Sequence, residues 1–209
     1  MLSLPSTFST INNEFGLDVI AMENFINNLE NDSIYKEFLN ILAKANKVKF
    51  TPINYNNWHP FAIDELFNVI GSKTTPVEVL MKYGKGKFPY ITTKATNNGV
   101  QGHYDFFTEN GNCLTVDSAV LGTCFYQKNN FSASDHVELL IPKYSLFNEY
   151  HGQFFQALIN NVNIGIYNYS HKYNHPRIRA TVLRLPFIYD SNGKEIPNWS
   201  QIENYIKSM

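Results

Sequence analysis

The sequence is poor in cysteine and contains no long apolar run. Its two cysteines, Cys113 and Cys124, have no CxxC spacing and cannot supply a four-ligand zinc site without histidine partners, so we expect small buried residues on two successive strands. No apolar run approaches the roughly 18 residues of a membrane-spanning helix. The N-terminus lacks the basic and apolar regions of a signal peptide. We therefore expect a cytoplasmic protein without a membrane partner.

Motifs that carry a reaction are also missing. No HExxH motif occurs, and although His171 and His175 are four positions apart, Pro176 follows them directly and disfavours a shared helical face. The sequence has no P-loop, no GxSxG nucleophile elbow, no Glu-x-Lys of a common metal-dependent nuclease and no Pro-Pro pair of an adenine methyltransferase. We therefore expect no catalytic residue, no metal and no cofactor, and predict a protein that is not itself an enzyme.

The chain has no excess of positive charge, because 17 Lys and Arg are balanced by 18 Asp and Glu, for a net charge of −1. This balance disfavours a strongly basic nucleic-acid-binding protein without excluding one. Affinity for phosphates depends on where the cations lie, and the three arginines, Arg177, Arg179 and Arg184, fall within eight positions. The hydrophobic fraction of 44% predicts a globular domain with a buried core.

Hydrophobic periodicity predicts helices at both ends of the chain and strands between them. Apolar residues at helical spacing predict a helical hairpin over residues 17–49, a helix over 144–162 and a last helix that begins at Pro197. Runs of β-branched and aromatic residues between glycines predict strands over 90–93, 113–116, 119–127, 136–141 and 178–185. The pattern indicates an α+β fold, with a helical N-terminal segment over residues 1–51 and a main domain over 52–209.

Four segments occur in an order and at a spacing that are typical of one family. They are Phe88–Val100, led in by Trp58–Phe61; Leu114–Asp117 with Gly122–Gln127; Phe131–Val137; and Leu185–Pro186 with Pro197–Lys207. In this order the chain resembles the target recognition domain of Type I restriction-modification specificity (S) subunits. It is equally similar to the related domains of Type IIB and IIG enzymes. The resemblance covers nearly everything after Pro52.

The resemblance implies an α/β-type domain, with a twisted, mostly antiparallel sheet and flanking helices, that grips double-stranded DNA and reads one half of a split site. Methyltransferase (M) subunits would then methylate a flipped adenine, and a restriction (R) subunit could cut. S subunits usually carry two recognition domains separated by long helices, whereas this sequence has one and no long spacer helix after its closing motif. We expect a half-size subunit that acts as a homodimer, a module of a larger polypeptide or an orphan, with residues 1–51 as spacer or docking element.

Candidate DNA contacts fall into two groups. Base reading needs side chains that form paired hydrogen bonds with a base edge, and the loop over residues 167–179 is richest in them. The candidates for base reading are Arg177, Lys172, His171, Asn174, Gln101 and His103. Phosphate binding needs cations, hydroxyls or free backbone N–H groups. The candidates for phosphate binding are Lys85, Lys87, Thr93, Lys94, Asn97, Asn98 and Arg179.

Structural interpretations of the same residues stay open. Residues 82–87 would equally form a solvated turn, and Asn-Gly at 98–99 favours a tight turn. The 167–179 loop would equally be an exposed polar loop in which Arg179 braces a carboxylate, and Lys128 is expected on the surface after a core strand. Two other functions also remain: an interaction or decoy protein that keeps the fold without binding DNA, and a nuclease with an unrecognised active site.

Overall fold

In the computed structural model the chain divides into two units, Met1–Phe50 and Thr51–Met209. The structure describes residues 58–209 in full and, within the first unit, the backbone of two antiparallel strands, β1 (Ser6–Ser9) and β2 (Glu14–Leu17). The described part of the first unit is therefore a strand pair in a segment for which we expected helix. The helices that we expected between residues 18 and 49 lie outside the described residues.

The second unit contains short helices and strands around one 15-residue helix. Its first elements are β3 (His59–Ala62), the one-turn helix α1 (Ile63–Leu66), β4 (Phe67–Gly71), α2 (Val77–Met81), β5 (Phe88–Ile91) and β6 (Val100–Tyr104). Four strands follow, namely β7 (Cys113–Asp117), β8 (Cys124–Gln127), β9 (Ser132–Ala133) and β10 (Val137–Pro142). The last elements are α3 (Glu149–Asn163), α4 (His175–Ala180), β11 (Val182–Leu185), β12 (Phe187–Tyr189), β13 (Glu195–Pro197) and α5 (Trp199–Lys207).

A four-stranded antiparallel sheet of order β4-β10-β7-β8 forms the centre of this unit. A second sheet has the order β6-β5-β9, in which β5 pairs antiparallel with β6 and parallel with β9. The ladders β11–β3 and β12–β13 are two-stranded and antiparallel. Mixed helices and mostly antiparallel sheets confirm the predicted α+β class.

The core lies between the four-stranded sheet and the two longer helices. Phe154, Phe155 and Ile159 of α3 belong to one buried cluster that also contains Leu114 and Leu140 of the sheet. Helix α5 adds its predicted apolar stripe to this cluster, as Trp199, Ile202, Tyr205 and Ile206. The periodicity identified the buried face of α5 and only part of that of α3, which also buries Phe155 and His151.

Strand β8 lies at the edge of the four-stranded sheet, and side chains of α3 satisfy its outer backbone groups. The side-chain amide of Asn160 accepts from the Cys124 N–H (2.8 Å) and donates to the Cys124 carbonyl (2.9 Å). Gln156 Oε1 accepts from the Tyr126 N–H (2.7 Å). Gln156 and Asn160 are four residues apart and share one face of α3, so the helix closes a strand edge that would otherwise be unpaired.

Gly152 allows α3 to lie directly over Tyr126, since a Cβ at this position would overlap the tyrosine ring. The ring is fixed from its other end, because the Tyr126 hydroxyl donates to Asn112 Oδ1 (2.9 Å) and Asn112 Nδ2 donates to the Phe147 carbonyl (2.9 Å). A glycine inside a helix normally lowers helix stability. Here it sets the distance between α3 and β8.

The two cysteines occupy the positions that the sequence predicted, buried on the neighbouring strands β7 and β8. Burial raises the pKa of the Cys113 thiol to about 12 and also raises the pKa of Cys124. Both side chains therefore stay protonated at neutral pH and contribute packing rather than reactivity.

Several predicted element boundaries were wrong: the helix predicted from residue 144 begins at Glu149, and two strands begin later than predicted, for local reasons. The strand predicted over 178–185 begins at Val182, because residues 175–180 form α4, whose N-cap Asn174 accepts from the Arg177 N–H (3.3 Å) and whose first turn contains Pro176. The strand predicted over 119–127 begins at Cys124. The residues before it form a loop whose N–H groups, at positions 119–121, donate to the carboxylate of Asp117.

The pairing of α3 with β8 can be tested by replacing Asn160 with alanine. We expect Asn160→Ala to lower the free energy of unfolding by about 2–4 kcal/mol, because it leaves a buried N–H and a buried carbonyl of Cys124 unpaired. Urea unfolding measures this change. Asn161→Ala is the matched control, since Asn161 is the exposed neighbour on the same helix and its loss should change stability by less than about 0.5 kcal/mol. Equal effects of the two substitutions would contradict the edge pairing.

His151 gives the fold a dependence on pH. The buried ring joins α3 to α5, because Nδ1 accepts from the Asn148 N–H (3.2 Å) and Nε2 donates to the Trp199 carbonyl (3.0 Å). The bond at Nδ1 requires the neutral ring, whereas the bond from Nε2 to the Trp199 carbonyl also forms in the protonated ring; burial is the larger influence and lowers the pKa of His151. Because its pKa is lower in the folded than in the unfolded chain, stability is full above about pH 6.5 and falls as the pH falls.

We therefore expect the urea midpoint to decrease from about pH 7.5 to about pH 5, and His151→Gln to reduce that decrease. His103→Gln serves as the control, because His103 is exposed on β6 and makes no hydrogen bond within residues 58–209. A pH profile that His151→Gln leaves unchanged would show that His151 is not the group that titrates.

Candidate nucleic-acid interface

Eight of the 17 cations of the chain lie in two stretches that contain no carboxylate. Residues 79–104 contain four lysines and no Asp or Glu, and residues 150–189 contain Lys172 and the three arginines and again no Asp or Glu. Each stretch has a formal charge of +4, in a chain whose net charge is −1. Positive charge is therefore local, and local charge decides phosphate binding.

The first stretch forms a surface that we call the basic hairpin, residues 82–104. Lys82, Lys85 and Lys87 are exposed in the lead-in to β5. This lead-in is fastened to the end of β6, because the Asp105 N–H donates to the Gly84 carbonyl (3.2 Å) and a Cβ on Gly86 would overlap the backbone of Asp105. The lysines therefore extend from a fixed turn, which agrees with the turn expected over residues 82–87.

The loop of the basic hairpin contains a tight turn that is bound to β8. Asn97, Asn98 and Gly99 all have left-handed φ values, of 54°, 54° and 74°, which confirms the expected turn. Asn98 Nδ2 donates to the Tyr126 carbonyl and to Gln127 Oε1, both at 3.2 Å. Both N–H groups of the Asn98 amide are thus used within the chain, so this residue positions the turn.

The rest of this loop faces solvent. Lys94 and Asn97 are exposed and Thr93 is half-buried. Lys94 Nζ and Asn97 Nδ2 both donate to the Val100 carbonyl, at 3.5 and 3.3 Å. These distances lie at the long end of the range for hydrogen bonds, so a phosphate oxygen can replace either bond at little cost.

Strand β6 places Gln101 and His103 side by side at the edge of its sheet. The two residues are separated by one position, so their side chains share a face, and both are exposed. Neither side chain makes a hydrogen bond within the described part of the chain. β6 is paired only on its β5 side in the described sheet, so this face lies at a margin of the domain that a ligand can reach.

The second acid-free stretch contains the loop over residues 164–174, which connects α3 to α4. Its end is fixed to the turn before β8, because Tyr173 is fully buried against Gly122 and Asn163 Nδ2 donates to the Gly122 carbonyl (2.9 Å). The Tyr173 hydroxyl donates to Thr181 Oγ1 (2.7 Å). The loop is thus held by its last residues while its tip is exposed.

The exposed His171 and the half-buried Lys172 of this loop both make aromatic contacts. The His171 ring stacks on Tyr167, with 5.6 Å between centroids and 6° between planes, and Lys172 Nζ lies 5.1 Å from the centre of the Tyr169 ring. Neither the His171 ring nor the Lys172 ammonium makes a hydrogen bond within residues 58–209. Both groups are available to a ligand.

Three of the candidate residues near α4 have partners within the fold. Arg177 Nη1 donates to the Lys172 carbonyl (2.5 Å), and Asn174 Oδ1 caps α4. Arg179 pairs with Asp64, with 2.7 Å between Nη2 and Oδ2, and this hydrogen bond lowers the pKa of the Asp64 carboxyl. The structural alternative for Arg179, a brace to a carboxylate, is therefore the arrangement that the structure contains.

Sequence reasoning missed one place that two lysines line. A shallow depression is lined by Lys87, Phe88, Lys128, Asn129 and Asn130, which come from the start of β5 and from the segment after β8. Lys128 lies on the surface after a core strand, as predicted. Its proximity to Lys87 depends on the pairing of sheets and could not be read from local sequence.

No group of three or more His, Cys, Asp or Glu side chains in residues 58–209 is placed to hold a metal ion. No helix in that range is long and apolar enough to cross a membrane.

A family model described as the Type I restriction modification DNA specificity domain matches residues 55–195. The chain belongs to this family. The match confirms the resemblance that the four sequence segments indicated, and it covers both the basic hairpin and the 164–174 loop. Comparison with curated protein sequences gives no match.

Three solved structures are similar to this specificity domain. The S subunit of a Type-I restriction-modification system from M. genitalium is 19% identical, with a TM-score of 0.46, over 65% of this chain and 36% of that one. The HsdS subunit from Thermoanaerobacter tengcongensis is 11% identical, with a TM-score of 0.49, over 88% and 46%. A chain from a structure of type I R-M complex assembly is 11% identical, with a TM-score of 0.51, over 90% and 49%. The chain spans less than half the length of each.

We expect the hydrogen bond from Arg177 to the Lys172 carbonyl to stabilise the 164–174 loop. Hydrogen exchange can test this role. The amides of Asn168 and His171 donate to each other's carbonyls, at 3.2 and 3.0 Å, and should be protected. We expect Arg177→Ala to speed their exchange by about tenfold, because the substitution removes a charged hydrogen bond to this loop. Arg179→Ala is the control, since it also removes a guanidinium but one that pairs with Asp64. Unchanged protection in Arg177→Ala would contradict this role.

Proposed function

We propose that this specificity domain binds double-stranded DNA, reads one half of a split recognition site for a restriction-modification complex and catalyses no reaction itself. The observation that carries the proposal is that eight of the 17 cations lie in two acid-free stretches, the first of which presents exposed lysines without an ion-pair partner in the described part of the chain. Membership of the DNA specificity family supports it independently.

Phosphate contacts are assigned to the basic hairpin. Lys85, Lys87 and Lys94 are exposed and make no ion pair within residues 58–209, and Thr93 and Asn97 add a hydroxyl and an amide beside them. Lysine ammonium groups bind phosphates without reading sequence. These residues would therefore hold the domain on DNA and set its register.

Base reading is assigned first to Gln101 and His103 on β6 and to His171 and Lys172 on the 164–174 loop. All four present free hydrogen-bonding groups on fixed backbone, and the major groove is wide enough to admit a strand ribbon or a loop. Arg177 keeps four of its five N–H donors beyond its bond to Lys172, so it remains a candidate for a guanine contact.

We propose that Asn174, Asn98 and Arg179 stabilise the fold and do not contact DNA directly. Asn174 caps α4 through its oxygen, Asn98 uses both amide N–H groups on β8, and Arg179 is paired with Asp64. Substitutions at these positions would disturb the backbone that carries the contact residues. We therefore expect their effects on DNA binding to be indirect.

Because this domain would read only half of a split site, it would need partners. One recognition domain contacts one part of a split site, so the second part would be read by a second copy of the chain or by another domain. Methylation and cleavage would require M and R subunits, and the first unit, residues 1–50, would serve as spacer or docking element. A chain of a type I R-M complex has the same fold, which supports this arrangement.

Binding to DNA fragments over a series of salt concentrations tests the proposal. We expect the logarithm of the affinity to fall linearly with the logarithm of the salt concentration, and Lys85→Ala to reduce the slope by about 0.9 and weaken all sequences alike. Gln101→Ala should instead change the preference at one base pair, by about 1–3 kcal/mol. Lys194→Ala is the control, because this exposed lysine lies outside both acid-free stretches.

The measurements should use the chain alone and with M subunits. Absence of binding at low salt in both preparations would overturn the proposal and favour the interaction or decoy protein. Cleavage of DNA by the pure chain with a divalent metal would instead favour the nuclease.

A further inference from the structure

The depression beside β5 is lined by two lysines that lie far apart in the sequence. Lys87 and Phe88 form one side, and Lys128, Asn129 and Asn130 form the other. The residues that line the depression include two cations and no carboxylate, which is the charge expected of an anion-binding site.

Most polar groups that line the depression are free to bind a ligand. Lys87 Nζ lies 5.1 Å from the centre of the Phe88 ring and makes no ion pair within residues 58–209. Asn129 is exposed, and its side-chain amide makes no hydrogen bond there. Asn130 Oδ1 accepts from the Gly111 N–H (3.0 Å), which fixes the segment and leaves the Asn130 amide N–H groups unused.

Lys128 is the exception, because it pairs with Glu149 in the first turn of α3. The pair is open to solvent, with 67% of the Lys128 side chain and 37% of the Glu149 side chain exposed. An ion pair this exposed contributes little to stability, so a second anion can compete for the ammonium group. An anion that bound Lys128 would therefore be repelled by the Glu149 carboxylate.

We propose that the depression binds a phosphate of the DNA backbone and that Lys128 exchanges its partner Glu149 for this phosphate. The proposal rests on the DNA-binding function proposed above. A phosphodiester only accepts hydrogen bonds, and the depression offers it two ammonium groups and free amide N–H groups. Glu149 then weakens the binding of every DNA sequence equally, since it competes with a contact that reads no base.

Two single substitutions with opposite expected effects test this exchange. Lys128→Ala should reduce the salt slope by about 0.9 and weaken binding by about five- to tenfold at about 0.1 M salt, because one phosphate contact is lost. Glu149→Gln should tighten binding by about two- to tenfold at the same salt, because the ammonium is released. Lys194→Ala and Glu195→Gln remove the same charges from residues that do not line the depression, and both should have no effect.

The double variant Lys128→Ala/Glu149→Gln separates exchange from general electrostatics. If Glu149 acts through Lys128, Glu149→Gln should lose most of its effect in the Lys128→Ala background. An unchanged effect there would show that Glu149 repels DNA as a whole and would overturn the exchange. Circular dichroism and unfolding midpoints of all variants confirm that each one is folded.

Inorganic phosphate tests whether the depression binds a phosphate of the DNA backbone or a free phosphate ion. Sodium phosphate should compete with DNA no better than sodium chloride of equal ionic strength, because a backbone phosphate is held by many neighbouring contacts. Competition that depends on Lys128 and exceeds the effect of chloride would assign the depression to a free phosphate and overturn the DNA contact.

Failure of this inference differs from failure of the proposed function. A wild-type chain that binds DNA with a steep salt slope, while Lys128→Ala behaves as Lys194→Ala does, would overturn the inference alone. A wild-type chain that binds no DNA in any preparation would overturn both.

Discussion

The second unit depends on one constraint. Strand β8 lies at the edge of its sheet, and its outer backbone groups must be paired. Cys124 and Tyr126 point their N–H and carbonyl groups away from β7, and buried groups of this kind are costly when unpaired. Asn160 and Gln156 of α3 pair with three of these groups, and Asn98 of the basic hairpin donates to the fourth. Side chains thus replace the strand that would otherwise lie there.

The same edge positions both candidate surfaces. Asn98 ties the loop of the basic hairpin to the end of β8, and the turn before β8 holds the 164–174 loop through Gly122 and Tyr173. Contacts to DNA require side chains held within a fraction of an ångström or so of their working positions. We infer that the two loops owe their placement to one strand, so loss of the β8 edge pairing would displace both together.

The features that the sequence predicted are those that depend on residues close together in the chain. The helices α3 and α5, the Asn-Gly turn and the buried cysteines follow from periodicity and turn chemistry, and the structure contains them, although α3 begins at Glu149 rather than at residue 144. The helix α4 was missed because its polar and basic residues were interpreted as a loop, although Asn174 and Pro176 are a capping residue and a first-turn proline. The pairing of Arg179 with Asp64, 115 positions apart, has no local signal. Neither has the approach of Lys128 to Lys87.

The net charge does not indicate how much unopposed positive charge the surface of this domain carries, because several of its carboxylates have structural roles. Asp117 binds the N–H groups of the turn before β8, Glu109 is buried and accepts from the Lys73 N–H (2.5 Å), and Asp64 pairs with Arg179. Acids that are used in this way leave the lysines of the basic hairpin unopposed on the surface, while the total remains near zero. Non-specific affinity for DNA grows with the number of phosphates contacted. We therefore expect a domain with few free lysines to bind random DNA weakly, so that discrimination between sequences would depend on the proposed base contacts and on the proposed partner subunits.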